Sequence, residues 1–156
     1  MRHIARAGLL AAAVAIGFGV AGVAAQDKEG AIKVRRDTMK RQGDDFKAIQ
    51  DFLKGEGDQA GATKAIADLQ GLAPKIPDLF VPGTGLDAFP GKTGAKPDIW
   101  KEWDKFKAVI PTLQSEEQKL ADAIKAGDKG AIGAQLASTG KNGCGACHTP
   151  YREKLP

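Results

Sequence analysis

The sequence predicts an all-α protein: an antiparallel four-helix bundle with a long loop between helices 2 and 3. Three observations predict it. Apolar residues recur at three- and four-residue spacing in four separate stretches, nothing reads as a strand, and one proline- and glycine-rich segment divides the helices into two pairs.

The first helix is expected over Lys28–Lys54, where Ile32, Arg35, Met39, Gln42, Phe46, Ile49 and Leu53 share one face and "GEG" ends the run. In the second, Ala62, Ile66, Leu69 and Leu72 form the apolar face and Pro74 and Pro77 mark the stop. Residues 81–98, with three prolines and four glycines, make the long crossover. The third helix resumes through Ile99, Trp103, Phe106, Ile110, Leu113, Leu120 and Ile124, with Asp98 as its expected N-cap and a kink or break expected at Pro111. A fourth begins near Asp128 and carries Ile132, Leu136, Cys144, Cys147, His148 and Tyr151 on one side.

Ahead of these lies "MRHIARAGLLAAAVAIGFGVAGVAAQDKEG", a basic start, an apolar run rich in Ala and Gly, and a small-x-small site. This reads as a secretory leader, residues 1–25, cut between Ala25 and Gln26; the run is short for a membrane anchor. The expected mature chain, residues 26–156, is long enough for one domain and too short for two. It has no stable membrane span. The formal net charge of +4 falls to +2 once Arg2 and Arg6 leave. Weak scattered charge of this kind excludes a nucleic-acid-binding face, which needs concentrated basic residues.

Loss of the leader also removes His3 and Met1, leaving one histidine, His148, and one methionine, Met39, from the two of each in the chain. The only cysteines, Cys144 and Cys147, stand in "CGACH", directly before His148. A structural zinc site would need a second half-site. A thioredoxin-like redox pair would need a strand leading into the motif. A disulfide between these two cysteines would close a tiny loop and stabilise little. Cys-x-x-Cys-His meets the requirements of covalent c-type haem attachment, with two thiols for the thioethers and an adjacent imidazole for iron. Helical spacing brings all three to one face, and export agrees with attachment outside the cytoplasm.

With "CGACHTPYREK" near the C-terminus, "RRDTMKRQGDDFKAI" in the first helix and "KPDIWKEWDKFK" opening the third, the chain resembles the class II cytochromes c, the cytochrome c′ and cytochrome c-556 group. The resemblance covers essentially all of the expected mature chain. It implies one covalently attached haem c near the C-terminal end of the bundle, with the first helix lying across its far face. Cys144 and Cys147 would carry the thioethers and His148 would be the proximal iron ligand, with Gly145 and Ala146 leaving room for the haem edge.

On spacing alone Met39 reads as core; the resemblance makes it the candidate distal iron ligand, although some cytochromes c′ hold a non-coordinating residue, occasionally a methionine, at that place. Arg35, one turn earlier, is either a propionate contact, as the resemblance suggests, or a solvated helix charge. Arg152 stands one turn after His148, at the proximal side or exposed to solvent. Trp100, Trp103, Phe46, Phe52 and Phe106 read as core and pocket wall. The polypeptide alone should enclose an apolar, cofactor-sized gap between the first, third and fourth helices.

Two functions are compatible with one haem. The favoured one is a periplasmic electron carrier, not an enzyme, with iron held by His148 and Met39. Its partners would be periplasmic or membrane redox proteins, met through a small interface to which Lys141, Arg152 and Lys154 steer an acidic partner. The alternative is a five-coordinate cytochrome c′ that binds or detoxifies NO or other small gases. A peroxidase is disfavoured, because the mature chain keeps no second histidine to serve as distal base. Monomer and homodimer are both compatible with the sequence.

Overall fold

The computed structural model describes residues 20–155. Most of the expected leader, residues 1–25, lies outside the described residues. Seven α-helical segments follow one another: α1 (Val20–Lys54), α2 (Gln59–Leu72), α3 (Asp98–Lys101), α4 (Trp103–Ala108), α5 (Ile110–Ala126), α6 (Lys129–Ser138) and α7 (Gly145–Tyr151). The described residues contain no strand, only an isolated bridge between Ala95 and Arg152. α1 packs on α2, α2 on α5, α5 on α6, and α6 returns to α1, closing the four-helix bundle.

The caps explain why successive helices double back. α1 ends in a Schellman motif: Gly55 takes φ 82°, its N–H donates to Phe52 O, and Glu56 N–H donates to Asp51 O at 2.9 Å. Three residues on, the Asp58 carboxylate accepts from Gly61 N–H at 2.7 Å and starts α2. The same pairing joins α5 to α6, with Gly127 at φ 76° followed by Asp128, whose carboxylate accepts from the N–H groups of Gly130 and Ala131.

The third predicted helix is three segments. α5 begins with Pro111 in its first turn, where the missing N–H costs nothing, so the expected break falls just upstream, at Val109. A second break at Glu102 had no sequence signal. Asp98 is not the N-cap: Pro97, at φ −57° and ψ −21°, is already helical and takes that place, which puts Asp98 inside the first turn. Its carboxylate instead pairs with Lys101 at 3.3 Å.

α6 continues into a turn of π-helix at Thr139–Cys144 and then α7. Such a turn adds a residue to the spiral and re-aims the next helical segment. Side chains of α6 bind the adjacent helix: Ser138 Oγ donates to the Glu116 carboxylate at 2.5 Å, and Gln135 Nε2 at 2.9 Å.

Two apolar clusters result. One, around Ile49, Ile66, Leu69, Leu120, Ile124 and Ile132, fills the closed end of the bundle. The other, around Ile76, Ile99, Phe106, Ile110, Leu113 and Tyr151, surrounds the end that carries the cysteines.

The crossover is ordered by its contacts. Leu86 N–H donates to Ala95 O at 2.8 Å, and Glu153 N–H donates to Gly94 O at 2.8 Å. Lys96 N–H donates to Tyr151 O at 3.0 Å. A Cβ on Gly94 would stand 2.0 Å from Glu153 O, so only glycine allows the crossover and the C-terminus to meet this closely.

Candidate functional site

At the second cluster a cavity of about 230 Å³ lies between α1, the α3–α5 row and the C-terminal segment. This is the apolar gap expected from the sequence. α1 supplies Arg35, Arg36, Met39 and Gln42; the middle row supplies Ile99, Phe106 and Leu113. The C-terminal segment supplies Gly143, Cys144, Cys147, His148, Tyr151 and Arg152. Ile76, Phe80, Thr93 and Ala95 close the side.

Cys144, Cys147 and His148 therefore face one space, as helical spacing requires. The π turn delivers them: it ends at Cys144, α7 begins at Gly145, and Gly143 lies flat against α5, where a Cβ would come within 2.8 Å of Leu113 Cδ1. Both thiols are free and half-buried. Burial pushes the Cys147 thiol up to about 11, with Cys144 adding to the shift. Burial also raises Cys144, reinforced by the charge of Glu117. Raised thiols are the opposite of the lowered pKa that marks a redox-active Cys-x-x-Cys.

His148 lines the cavity while remaining exposed to solvent on its other side. Displacement of water by neighbouring atoms lowers its pKa, and the charge of Arg152 lowers it further. The imidazole is thereby kept in the neutral form that binds metals. Among the described residues no group of three or more His, Cys, Asp or Glu side chains is placed to hold a metal ion. An iron here would need a further scaffold, which two thiols beside one imidazole are suited to tether.

Met39 lines the cavity from α1, packed against the second apolar cluster. Arg35 is buried, 3% exposed, and its two terminal nitrogens make four hydrogen bonds. Nη1 donates to Leu79 O at 3.2 Å and Thr84 Oγ1 at 2.8 Å; Nη2 donates to Thr84 O at 2.8 Å and Thr93 Oγ1 at 2.9 Å. The guanidinium also lies over the Phe80 ring at 4.9 Å. No carboxylate among the described residues offsets its charge, and burial lowers its pKa to about 10. Arg35 is thus the pin of the crossover as well as a wall of the cavity, and not a solvated helix charge.

Of the five aromatic residues expected in core or wall, Phe106 alone lines the cavity. Phe46 and Phe52 belong to the closed end, and Trp100 and Trp103 back the wall from behind. Phe80 and Tyr151 stand in the wall with edge contacts to Phe106 at 4.8 and 5.4 Å. Phe80 follows the short turn at Pro77–Leu79, past the second helix, where no periodicity points to a face. Arg36 went unassigned although it lies within a turn of Met39, and Gln42, placed on the same face by its spacing, was given no part in the site.

A model of the cytochrome c′ family matches residues 30–152. Cytochrome c′ of Pararhodospirillum photometricum is 32% identical over 80% of this chain and 98% of its own. Cytochrome c-556 of Agrobacterium tumefaciens is 30% identical over 80% of this chain and 98% of its own. A solved nitrosyl complex of a variant of cytochrome c′ from Alcaligenes xylosoxidans superposes with a TM-score of 0.67 at 28% identity, covering 81% of this chain and 97% of that one. The family match spans most of the first helix, the crossover and the whole Cys-x-x-Cys-His segment, and the chain belongs to the cytochrome c′ family of class II cytochromes c, whose members carry one covalently attached haem c.

Proposed function

We propose that the protein is an exported haem c protein that binds NO or other small uncharged gases at five-coordinate iron. The observation that carries the reading is the cavity itself. It sets the apolar side chain of Met39 on α1 across from the segment bearing Cys144, Cys147 and His148. This reverses the order of the two functions read from the sequence, in which the His/Met electron carrier came first. Met39 is packed as an apolar wall residue, and the similar structure from Alcaligenes xylosoxidans holds NO.

Haem c held here would supply an iron able to bind a small gas molecule. Cys144 and Cys147 would hold the haem through thioethers, and His148 would offer its neutral ring to the iron. Arg35 would contribute a buried positive charge to hold the propionates; with four donors committed to Leu79, Thr84 and Thr93, only its Nε–H is left to donate. Arg36 and Arg152 add charge at the rim. Ile99, Phe106 and Leu113 exclude water from the rest of the slot. No residue is assigned a catalytic role.

Electron transfer is the second reading, favoured by the cytochrome c-556 relative. Its partners would be periplasmic or membrane redox proteins meeting the open edge of the cavity. For location, residues 1–25 act as the leader, and no helix among the described residues is long and apolar enough to cross a membrane.

Two measurements on the exported protein test this. Intact mass should show a chain beginning at Gln26 plus one haem, lost in Cys144→Ala/Cys147→Ala. Ferrous protein titrated with CO and NO should change its spectrum with saturating stoichiometry of one. A haem that ignores both gases would leave only the electron carrier.

A further inference from the structure

Glu117 stands on α5 one helical turn beyond Leu113, which lines the cavity and presses on Gly143 of the π turn. Thr139 Oγ1 ties the same stretch of α5 to that turn, donating to Glu116 O at 3.3 Å. Glu117 is 3% exposed and its Oε2 has no hydrogen-bond partner, so a negative charge placed there is poorly compensated. The charged groups on the surrounding elements are engaged elsewhere or exposed. Asp68 on α2 is held by Arg41, with Asp45 of α1 acting on the same pair, and Lys64 is exposed. On α4, Asp104 pairs with Lys107; on α6, Lys129 lies over the Phe52 ring. Glu116 pairs with Lys119, and Lys75 and Lys141 are exposed. Burial alone thus raises the pKa of Glu117, to about 7. In the haem-binding segment Cys147 responds to Cys144 and His148 to Arg152, whereas Cys144 responds to the charge of Glu117.

We infer that Glu117 is the proton partner of the haem anchored at Cys144, releasing a proton when the iron is oxidised and regaining it on reduction. The inference needs only the haem c of the family and applies to five- and six-coordinate iron alike. On oxidation one electron leaves the iron for a one-electron acceptor such as ferricyanide, the Glu117 O–H bond breaks, and the proton passes to solvent. Reduction reverses each transfer. The positive charge gained by the iron attracts the carboxylate left behind, so proton affinity is lower in the oxidised protein than in the reduced one. The reduction potential is therefore highest where both forms are protonated, falls as pH rises through about 7, and levels off above it.

The test is redox titration of the haem-loaded protein over a range of pH, for the wild type, Glu117→Gln and Glu117→Met. At an effective dielectric of about 20, a unit charge about 10–15 Å from a carboxylate changes its proton affinity about 5- to 15-fold. The wild-type potential should fall by that factor in the electron-transfer equilibrium constant, and neither variant should show this fall. Any contribution of the haem propionates is common to all three proteins. Glu117→Met takes an unpartnered carboxyl out of the core, which keeps the comparison open should the amide disturb packing. Redox-difference infrared spectra of the wild type at pH 7 should show a protonated-carboxyl band lost on oxidation, absent from Glu117→Met. A wild-type potential that ignores pH around 7 overturns the inference, as does a haem-loaded variant that keeps the full pH dependence. A wild-type infrared spectrum with no such band overturns it however the variants fold.

Discussion

A guanidinium taken out of water with no carboxylate beside it persists only if its donors are met, and Arg35 has four of them met, one by Leu79 O and three on the crossover. Arg35→Met should remove those bonds and strand the polar atoms of the buried Thr84 and Thr93. A loss of about 2–4 kcal/mol is expected in denaturant unfolding. Glu117 is a different kind of buried charge. It is 3% exposed, Oε2 has no partner, and burial raises its pKa to about 7. Folded Glu117 therefore holds a proton that the unfolded chain, near 4.5, releases. Between those values the unfolded state binds fewer protons, so stability falls as pH rises from about 4.5 to about 7. Glu117→Gln should flatten this fall, which thermal unfolding at pH 5 and pH 8 would register. At this scale the sequence spoke clearly where a motif names its chemistry, as at Cys144, Cys147 and His148. It was silent on Phe80 and Glu117, whose roles depend on which neighbours a buried atom meets.

At the level of elements, helix periods and caps were readable because both are local. Gly55, Asp58, Gly127 and Asp128 act through bonds within a few residues of themselves. Pro111 announced its break for the same reason. The break at Glu102 had no such cause in the chain: this residue accepts from Lys105 at 3.0 Å and from the Tyr151 hydroxyl at 3.4 Å, and the latter contact spans 49 positions. The π turn was likewise invisible, because it stems from the fit of Gly143 against Leu113 and of Gly140 against Phe46. The crossover depends most on distant contacts, and its tightest is at Gly94. Gly94→Ala should push the C-terminus off the crossover, breaking the bonds at Glu153 and Lys96. Faster amide exchange at Lys96 and Glu153, with α1 and α2 unchanged, is the expected result.

For the whole molecule, division into two apolar clusters separates stability from function. The closed end, with Leu120 and Ile132 fully buried, holds the four helices together with no part in the site. The other end trades continuous packing for a cavity whose walls come from the first helix, the broken third and the C-terminus. Bundle topology was legible because four amphipathic stretches and one long connection admit few arrangements. The state of the iron was not, since a methionine on an inner helix face has the same spacing whether it packs or coordinates.

The ferric absorption spectrum of the exported protein, compared with that of Met39→Ala, tests the central claim most directly. Five-coordinate iron with Met39 as a wall predicts a high-spin spectrum that the substitution leaves essentially unchanged. A low-spin spectrum with a sulfur-to-iron charge-transfer band that disappears in Met39→Ala would contradict it and make Met39 the sixth ligand.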